Sequence, residues 1–155
     1  LHLVALGRIA AEQFPLAEIA APALVALREI TGESVQLYVR DGSNRVCIAA
    51  LESLHGLRTI VAVGAALPLD VGSAGRVLSG EHTATGWLQT VGEREAGVAS
   101  VSAPVRGPQV ELLAAVSVSG PIDRLGRSPG KLHGPAVVAA ANQIQQAVES
   151  APFLS

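Results

Sequence analysis

An α+β fold, a mainly antiparallel sheet with flanking helices, is what this sequence predicts, on three observations. Apolar residues recur with the helical period near both ends of the chain. Between the ends lie short segments in which apolar and polar residues alternate, the pattern of strands. The links between successive strands carry turn residues and are shorter than the roughly dozen residues a parallel crossover takes.

Taken in order, residues 1–13 predict a short helix that stops before Pro15. Leu16, Ile19, Ala20, Ala23, Leu24 and Leu27 then follow helical spacing and predict one buried stripe of a second helix. Pro22 fits its first turn or kinks it, and Gly32 is placed to cap its end. Val35, Leu37 and Val39 alternate with Gln36, Tyr38 and Arg40, a half-buried strand. Asp41-Gly42-Ser43-Asn44 is turn chemistry, and Arg45 to Leu51 returns as the second arm of a hairpin. Leu57 to Val63 reads as a third strand, Gly64 to Asp70 as a loop, and Val71 to Ser79 as a short helix. Val98 to Val105 and Val110 to Ser119 form a second hairpin. A last helix is expected to open at Pro135, with Val137, Ala141, Ile144 and Val148 as its stripe. Helices at the ends and in the middle are expected to cover one face. The arrangement is of the PAS/GAF-like kind, a sensor-like sheet with a pocket on one side.

The 155 residues suffice for one domain with a real core. Hydrophobic residues make up 49% and charged residues 15%, against a usual charged share of about 25%. That argues against disorder and for extensive burial, an oligomer contact included. A net charge of −2 lacks the basic footprint of a nucleic-acid-binding segment. No apolar run reaches the roughly 18 residues of a membrane span, and no signal-peptide pattern opens the chain, so a cytoplasmic protein is expected. The single Cys47 cannot form an internal disulfide and is expected in the core or sheet. His2, His55, His82 and His133 are scattered, without HExxH, and neither GxGxxG nor a P-loop occurs. No catalytic residue, metal or cofactor is therefore expected. Gly72-Ser73-Ala74-Gly75 misses the nucleophile elbow because Val71 stands where its first glycine belongs.

Two features carry the functional expectation. The Gly72–Gly75 segment is either a tight turn that lets its helix pack closely or a helix start whose N–H groups attract an anion. Arg76 in the first turn calls for something negative nearby. The second feature is a pair of serine faces. On one strand Val98, Ser100 and Ser102 share a side; on the next, Ser117 and Ser119 do. A solvent face would carry Lys, Glu, Arg or Thr, yet no charge occurs from Gly97 to Val105 or from Leu112 to Ile122. Small uncharged hydroxyls in an apolar shell favour a ligand pocket. The alternative is a serine-dependent hydrolase at Ser73 or Ser100, which would need a histidine and a carboxylate within reach.

The strings LPLDVGSAGRVL (Leu67 to Leu78), GW (Gly86-Trp87), EREAGVASVSAPV (Glu93 to Val105) and AAVSVSGPIDRL (Ala114 to Leu125), preceded by ITGESVQLYVRDG (Ile30 to Gly42), follow one another over nearly the whole chain. Together they resemble the effector-binding domain of IclR-family transcriptional regulators. The resemblance implies that residues 1–15 are a connecting helix from an N-terminal winged helix-turn-helix not contained in this sequence. Residues 16–155 would be the effector-binding domain. It further implies a homodimer or homotetramer, a small organic acid as effector, and contact with operator DNA only through the winged helix. The implied effector positions are Ser73, Ala74, Gly75, Trp87, Thr90, Val98, Ser100, Ser117 and Ser119. The acid's carboxylate would meet N–H groups of the Gly72–Gly75 turn. Glu93 matches the family's glutamate, but Thr90 stands where several relatives carry an acid, which implies a less hydroxylated or more apolar effector. Only Gly80 to Thr85 occupies the place of a longer helical insert. An interaction-only domain with a degenerate pocket is the remaining alternative.

Overall fold

The computed structural model describes residues 2–151, with side chains from Pro15 onward. Six strands form one antiparallel sheet: β1 (Ser34–Asp41), β2 (Asn44–Leu51), β3 (Ala66–Pro68), β4 (Leu88–Val91), β5 (Val98–Arg106) and β6 (Leu112–Pro121). Their order is β3-β2-β1-β6-β5-β4. The helices are α1 (His2–Thr31), α2 (Ser73–Leu78), α3 (Ile122–Leu125) and α4 (Pro129–Ser150). α1 and α4 pack on each other and on one sheet face, around Leu24, Leu27, Val101, Val116 and Ile144. α2 covers the opposite face through Ala74, Val77 and Leu78, against Tyr38, Cys47 and Ala115. The helices therefore sandwich the sheet instead of sharing one side of it, so strands that alternate in polarity are buried on both faces.

The stripes of α1 and α4 fall where their spacing puts them: Leu16, Ala20, Ala23, Leu24 and Leu27 are buried, as are Val137, Ala141, Ile144 and Val148. Gly32, at φ 72°, ends α1 with its N–H on the Arg28 carbonyl at 2.7 Å. The helix starts differ from expectation. α1 is one helix that runs through Pro15 and Pro22, and α4 opens at Pro129 with Pro135 inside it. A proline removes the bond to the carbonyl four residues back. Pro22 and Pro135 lie on exposed sides, and the carbonyls they leave belong to the exposed residues Glu18 and Lys131 and so need not be satisfied within the protein.

Three strand expectations also change. β1 is buried on both faces rather than half-buried, because Val35, Leu37 and Val39 pack in the core under α1 and α4 while Gln36 and Tyr38 lie on the α2 side. Leu57 to Val63 forms no strand. Leu57, Ile60 and Val63 are 68%, 62% and 64% exposed, while the polar Thr59 is buried and its carbonyl accepts the Ser34 hydroxyl at 2.5 Å. The edge of β2 is instead paired by Ala66–Pro68, within the expected loop. Val110 does not begin β6; it sits in the β5–β6 turn at φ 65°.

Candidate functional site

Strand alternation turns Ser100 and Ser102 of β5 toward α2, and the antiparallel register sets Ser119 opposite Ser100 and Ser117 opposite Ser102. Ser73, the first residue of α2, lies over them. Its Oγ is 2.7 Å from Ser100 Oγ and 2.7 Å from Ser102 Oγ. Ser102 bonds in turn to Ser117, and Ser100 to Thr90 of β4 at 3.0 Å. Ser119 donates to Gln36 Oε1 on β1 at 3.0 Å. Four strands and one helix are thus joined by buried hydroxyls and one amide. Ser73, Ser100 and Ser102 each have two hydroxyl partners, and Thr90, Ser117 and Ser119 one each, so every hydroxyl is satisfied, which is how such groups are tolerated away from water. The serine face is not a solvent face.

The space enclosed has a volume of about 20 Å³, room for about one water molecule. Ser73, Ala74, Thr90, Val98, Ser100, Ser117 and Ser119 line it. Gly75 does not. A Cβ there would collide with the Leu69 carbonyl, so Gly75 is where α2 touches the preceding turn. Trp87 does not either. β4 turns Leu88 and Thr90 toward α2, and Trp87 lies on the α4 side against Gly130 and Gly134. Gln89 accepts the Gly130 N–H there at 2.8 Å.

Five further residues complete the lining: Gln36, Tyr38, Arg45, Gly72 and Arg94. The alternation of β1 already puts Gln36 and Tyr38 on one face, but only the pairing of β1 with β6 shows that this face is the serine face. Arg45 bridges the turn before α2: its Nη1 donates to the Pro68 carbonyl at 2.6 Å and to that of Val71 at 2.5 Å. Its guanidinium stands 5.1 Å from the centroid of the Tyr38 ring, within cation–π range. Gly72 has φ 85°, and a Cβ there would stand 3.0 Å from Arg45 Nη2. Burial pushes the Tyr38 hydroxyl up to about 12 and lowers the pKa of Arg45, each chiefly because the charged form loses water. Burial likewise pushes the Cys47 thiol up to about 11, so it behaves as a small apolar residue.

The negative partner that Arg76 calls for is Glu93. Its carboxylate lies 2.8 Å from Arg76 Nη2 and accepts the Gly72 N–H at 3.1 Å. Beside the serine cavity is a second, wider cleft of about 270 Å³, bordered by Leu57, Ile60 and Pro121. Arg94 and Val98 line both spaces. Among the described residues no imidazole bonds to Ser73 or Ser100, whose hydroxyls bond to Ser102, Thr90 and each other. The hydrolase arrangement is not assembled. Nor do the described residues hold a His/Cys/Asp/Glu group fit for a metal, and no described helix is long and apolar enough to cross a membrane.

The fold is shared with solved regulators. An IclR-family transcriptional regulator from Rhodococcus sp. superposes with a TM-score of 0.74 at 25% identity, over 82% of this chain and 61% of that one. The chain therefore spans less than two thirds of that regulator. IclR of Thermotoga maritima superposes with a TM-score of 0.77 at 20% identity, over 93% of this chain and 72% of that one. An IclR homolog of Microbacterium hydrocarbonoxydans, complexed with 4-hydroxybenzoate, gives 0.76 at 17% identity, over 89% and 70%. Among curated protein sequences, none matches the chain. The family described as bacterial transcriptional regulator IclR C-terminal matches in two segments, residues 9–85 and 80–146, which meet at the short Gly80–Thr85 connection. With nearly its whole length matched by that family of transcriptional regulators, not enzymes, the chain belongs to the IclR C-terminal family.

Proposed function

We propose that this domain senses a small organic acid in the space between α2 and the serine strands. The observation that carries the reading is the string of buried hydroxyls from Thr90 to Ser117, held in an otherwise apolar sheet with Ser73 of α2 as its keystone. Such groups are costly to bury for packing alone, and they offer both donors and acceptors to a ligand. The 4-hydroxybenzoate complex of the Microbacterium homolog supports an organic acid as the class of effector.

A space of about 20 Å³ holds no more than about a water. An acid enters only when α2 moves away from β5 and β6, which breaks the Ser73 bonds. Binding then selects the arrangement in which α2 and the sheet stand apart. In the whole regulator that shift would change the relation between the subunits of a homodimer or homotetramer. Through residues 1–15 it would change operator affinity of a winged helix-turn-helix, in the cytoplasm.

Titration calorimetry across small carboxylic and aromatic acids tests the site, with Ser117→Leu as the blocked variant. The expected result is one acid that binds the wild type, fails on Ser117→Leu, and shifts operator affinity of the full-length wild type only. Binding unaffected by Ser117→Leu would place the effector elsewhere. A second reading, an interaction-only domain whose pocket has closed, draws on the small volume of the space. It predicts no acid binding at all.

A further inference from the structure

Charge is distributed unevenly around the serine cavity. Its lining includes two arginines, Arg45 and Arg94, and no Asp or Glu. Arg94 is at the mouth, shared with the outer cleft, and ion-pairs with the exposed Glu95 at 3.1 Å. Arg45 is different: it is 2% exposed, and its partners are two backbone carbonyls and the Tyr38 side chain rather than a carboxylate. Its Nε is buried and has no hydrogen-bond partner. Glu93, whose charge is felt at Arg45, is committed to Arg76 and the Gly72 N–H.

A guanidinium taken out of water without a counter-charge is costly. The two carbonyls and the Tyr38 ring offset part of that cost, but none of them carries a full negative charge. Burial also lowers the pKa of Arg45, and the Tyr38 side chain and the charge of Glu93 offset only part of that effect. An unpaired donor on a buried cation, at the wall of a cavity free of acids, matches an incoming anion.

We infer that Arg45 is the effector's carboxylate anchor: the ligand is a monocarboxylate that binds the guanidinium edge carrying Nε and turns its remaining polar atoms to Ser117 and Ser119. The inference rests on the effector site proposed above and moves the carboxylate within it. The turn before α2 has its anion in Glu93, whereas Arg45 has none. Arg45 also reports the event: it holds the Pro68 and Val71 carbonyls, so an acid that draws on the guanidinium acts directly on the turn that carries α2.

The test pairs each acid with its uncharged amide: acetate with acetamide, benzoate with benzamide, 4-hydroxybenzoate with 4-hydroxybenzamide. Calorimetry on the wild-type chain is expected to give at least one acid that binds about ten- to a hundredfold more tightly than its amide, the worth of a charge-assisted hydrogen bond. Arg45→Lys keeps a cation but loses Nε and should remove most of that ratio; its melting temperature and circular dichroism show whether the fold is kept. The arginine Nε–H resonances of the wild-type chain give a readout that needs no variant. The Arg45 signal should move to saturation with the binding acid and stay still with its amide. Equal affinity for acid and amide, with both lost in Ser117→Leu, would overturn the anchor and leave the site reading standing. An acid that binds without moving the Arg45 signal would do the same. Failure of every compound to bind the wild type would overturn the site reading, and the anchor with it.

Discussion

Gly75 and Gly97 make a pair that separates space from backbone freedom. Neither needs a positive φ. A Cβ on Gly75 would run into the Leu69 carbonyl and crowd Arg45, while a Cβ on Gly97 would meet nothing within 4 Å. Gly75→Ala should therefore cost about 1–3 kcal/mol, the usual cost of overpacking. Gly97→Ala should be neutral or stabilise by about 0.4–1 kcal/mol, since it removes freedom only from the unfolded chain. Thermal melts of the two variants check this, and equal shifts would contradict it. The same comparison shows how far the site was legible. That Ser73, Ser100, Ser117 and Ser119 share one cavity was legible because alternation and absence of charge are sequence properties. Gly75 and Trp87 were expected at the same place but do not line the cavity and pack elsewhere, because which neighbour a residue meets depends on elements far away in sequence. Arg45 was invisible for the same reason: a lone arginine at the start of a hairpin arm looks solvated until the turn before α2 folds over it.

At the scale of elements, periodicity placed the helix stripes and the two hairpins, and it failed where both faces of an element are covered or neither is. Leu57 to Val63 has strand-like composition, but Leu57, Ile60 and Val63 are exposed, with Leu57 and Ile60 bordering the wide cleft, and only Val61 packs against the α2-side core. Val110 misled in the opposite way. As a β-branched residue it reads as the first position of a strand, yet it occupies the turn at φ 65°, where β-branched residues are strained. The turn is closed by Val110 N–H on the Gly107 carbonyl at 2.9 Å and Gly107 N–H on the Glu111 carbonyl at 2.8 Å. Val110→Gly relieves about 1–3 kcal/mol of local strain and gives back somewhat less than that in unfolded-state freedom. The variant should therefore melt at a slightly higher temperature than wild type. A lower melting temperature would show that the turn holds Val110 without strain.

The molecule as a whole is closed at one buried junction. Glu33, just after α1, is 3% exposed and receives two hydrogen bonds from Arg124 of α3, Nε and Nη2 each at 2.8 Å. Glu33 Oε1 and Leu125 also close over Gly120 of β6. His133 of α4 is buried near enough to feel the charge of Glu33. Arg124 is itself partly exposed, so Arg124→Met, which leaves the buried Glu33 carboxylate without its partner, should cost about 1–3 kcal/mol; adding Glu33→Gln should return part of that loss. His133 makes the same region sensitive to acid. Burial lowers its pKa, and the charge of Glu33 offsets only part of that effect. In the unfolded chain its pKa returns to about 6.5, so on the acid side of that value the unfolded state binds more protons than the folded one. Stability then increases with pH across the interval between the two pKa values. The contribution of His133 is complete above the unfolded value, declines as the pH falls below about 6.5, and stops declining once the folded pKa has been passed. His133→Gln, which cannot titrate, should lower the slope of melting temperature against pH as the pH falls below about 6.5. An unchanged slope in that variant would assign the acid sensitivity of the fold to other groups.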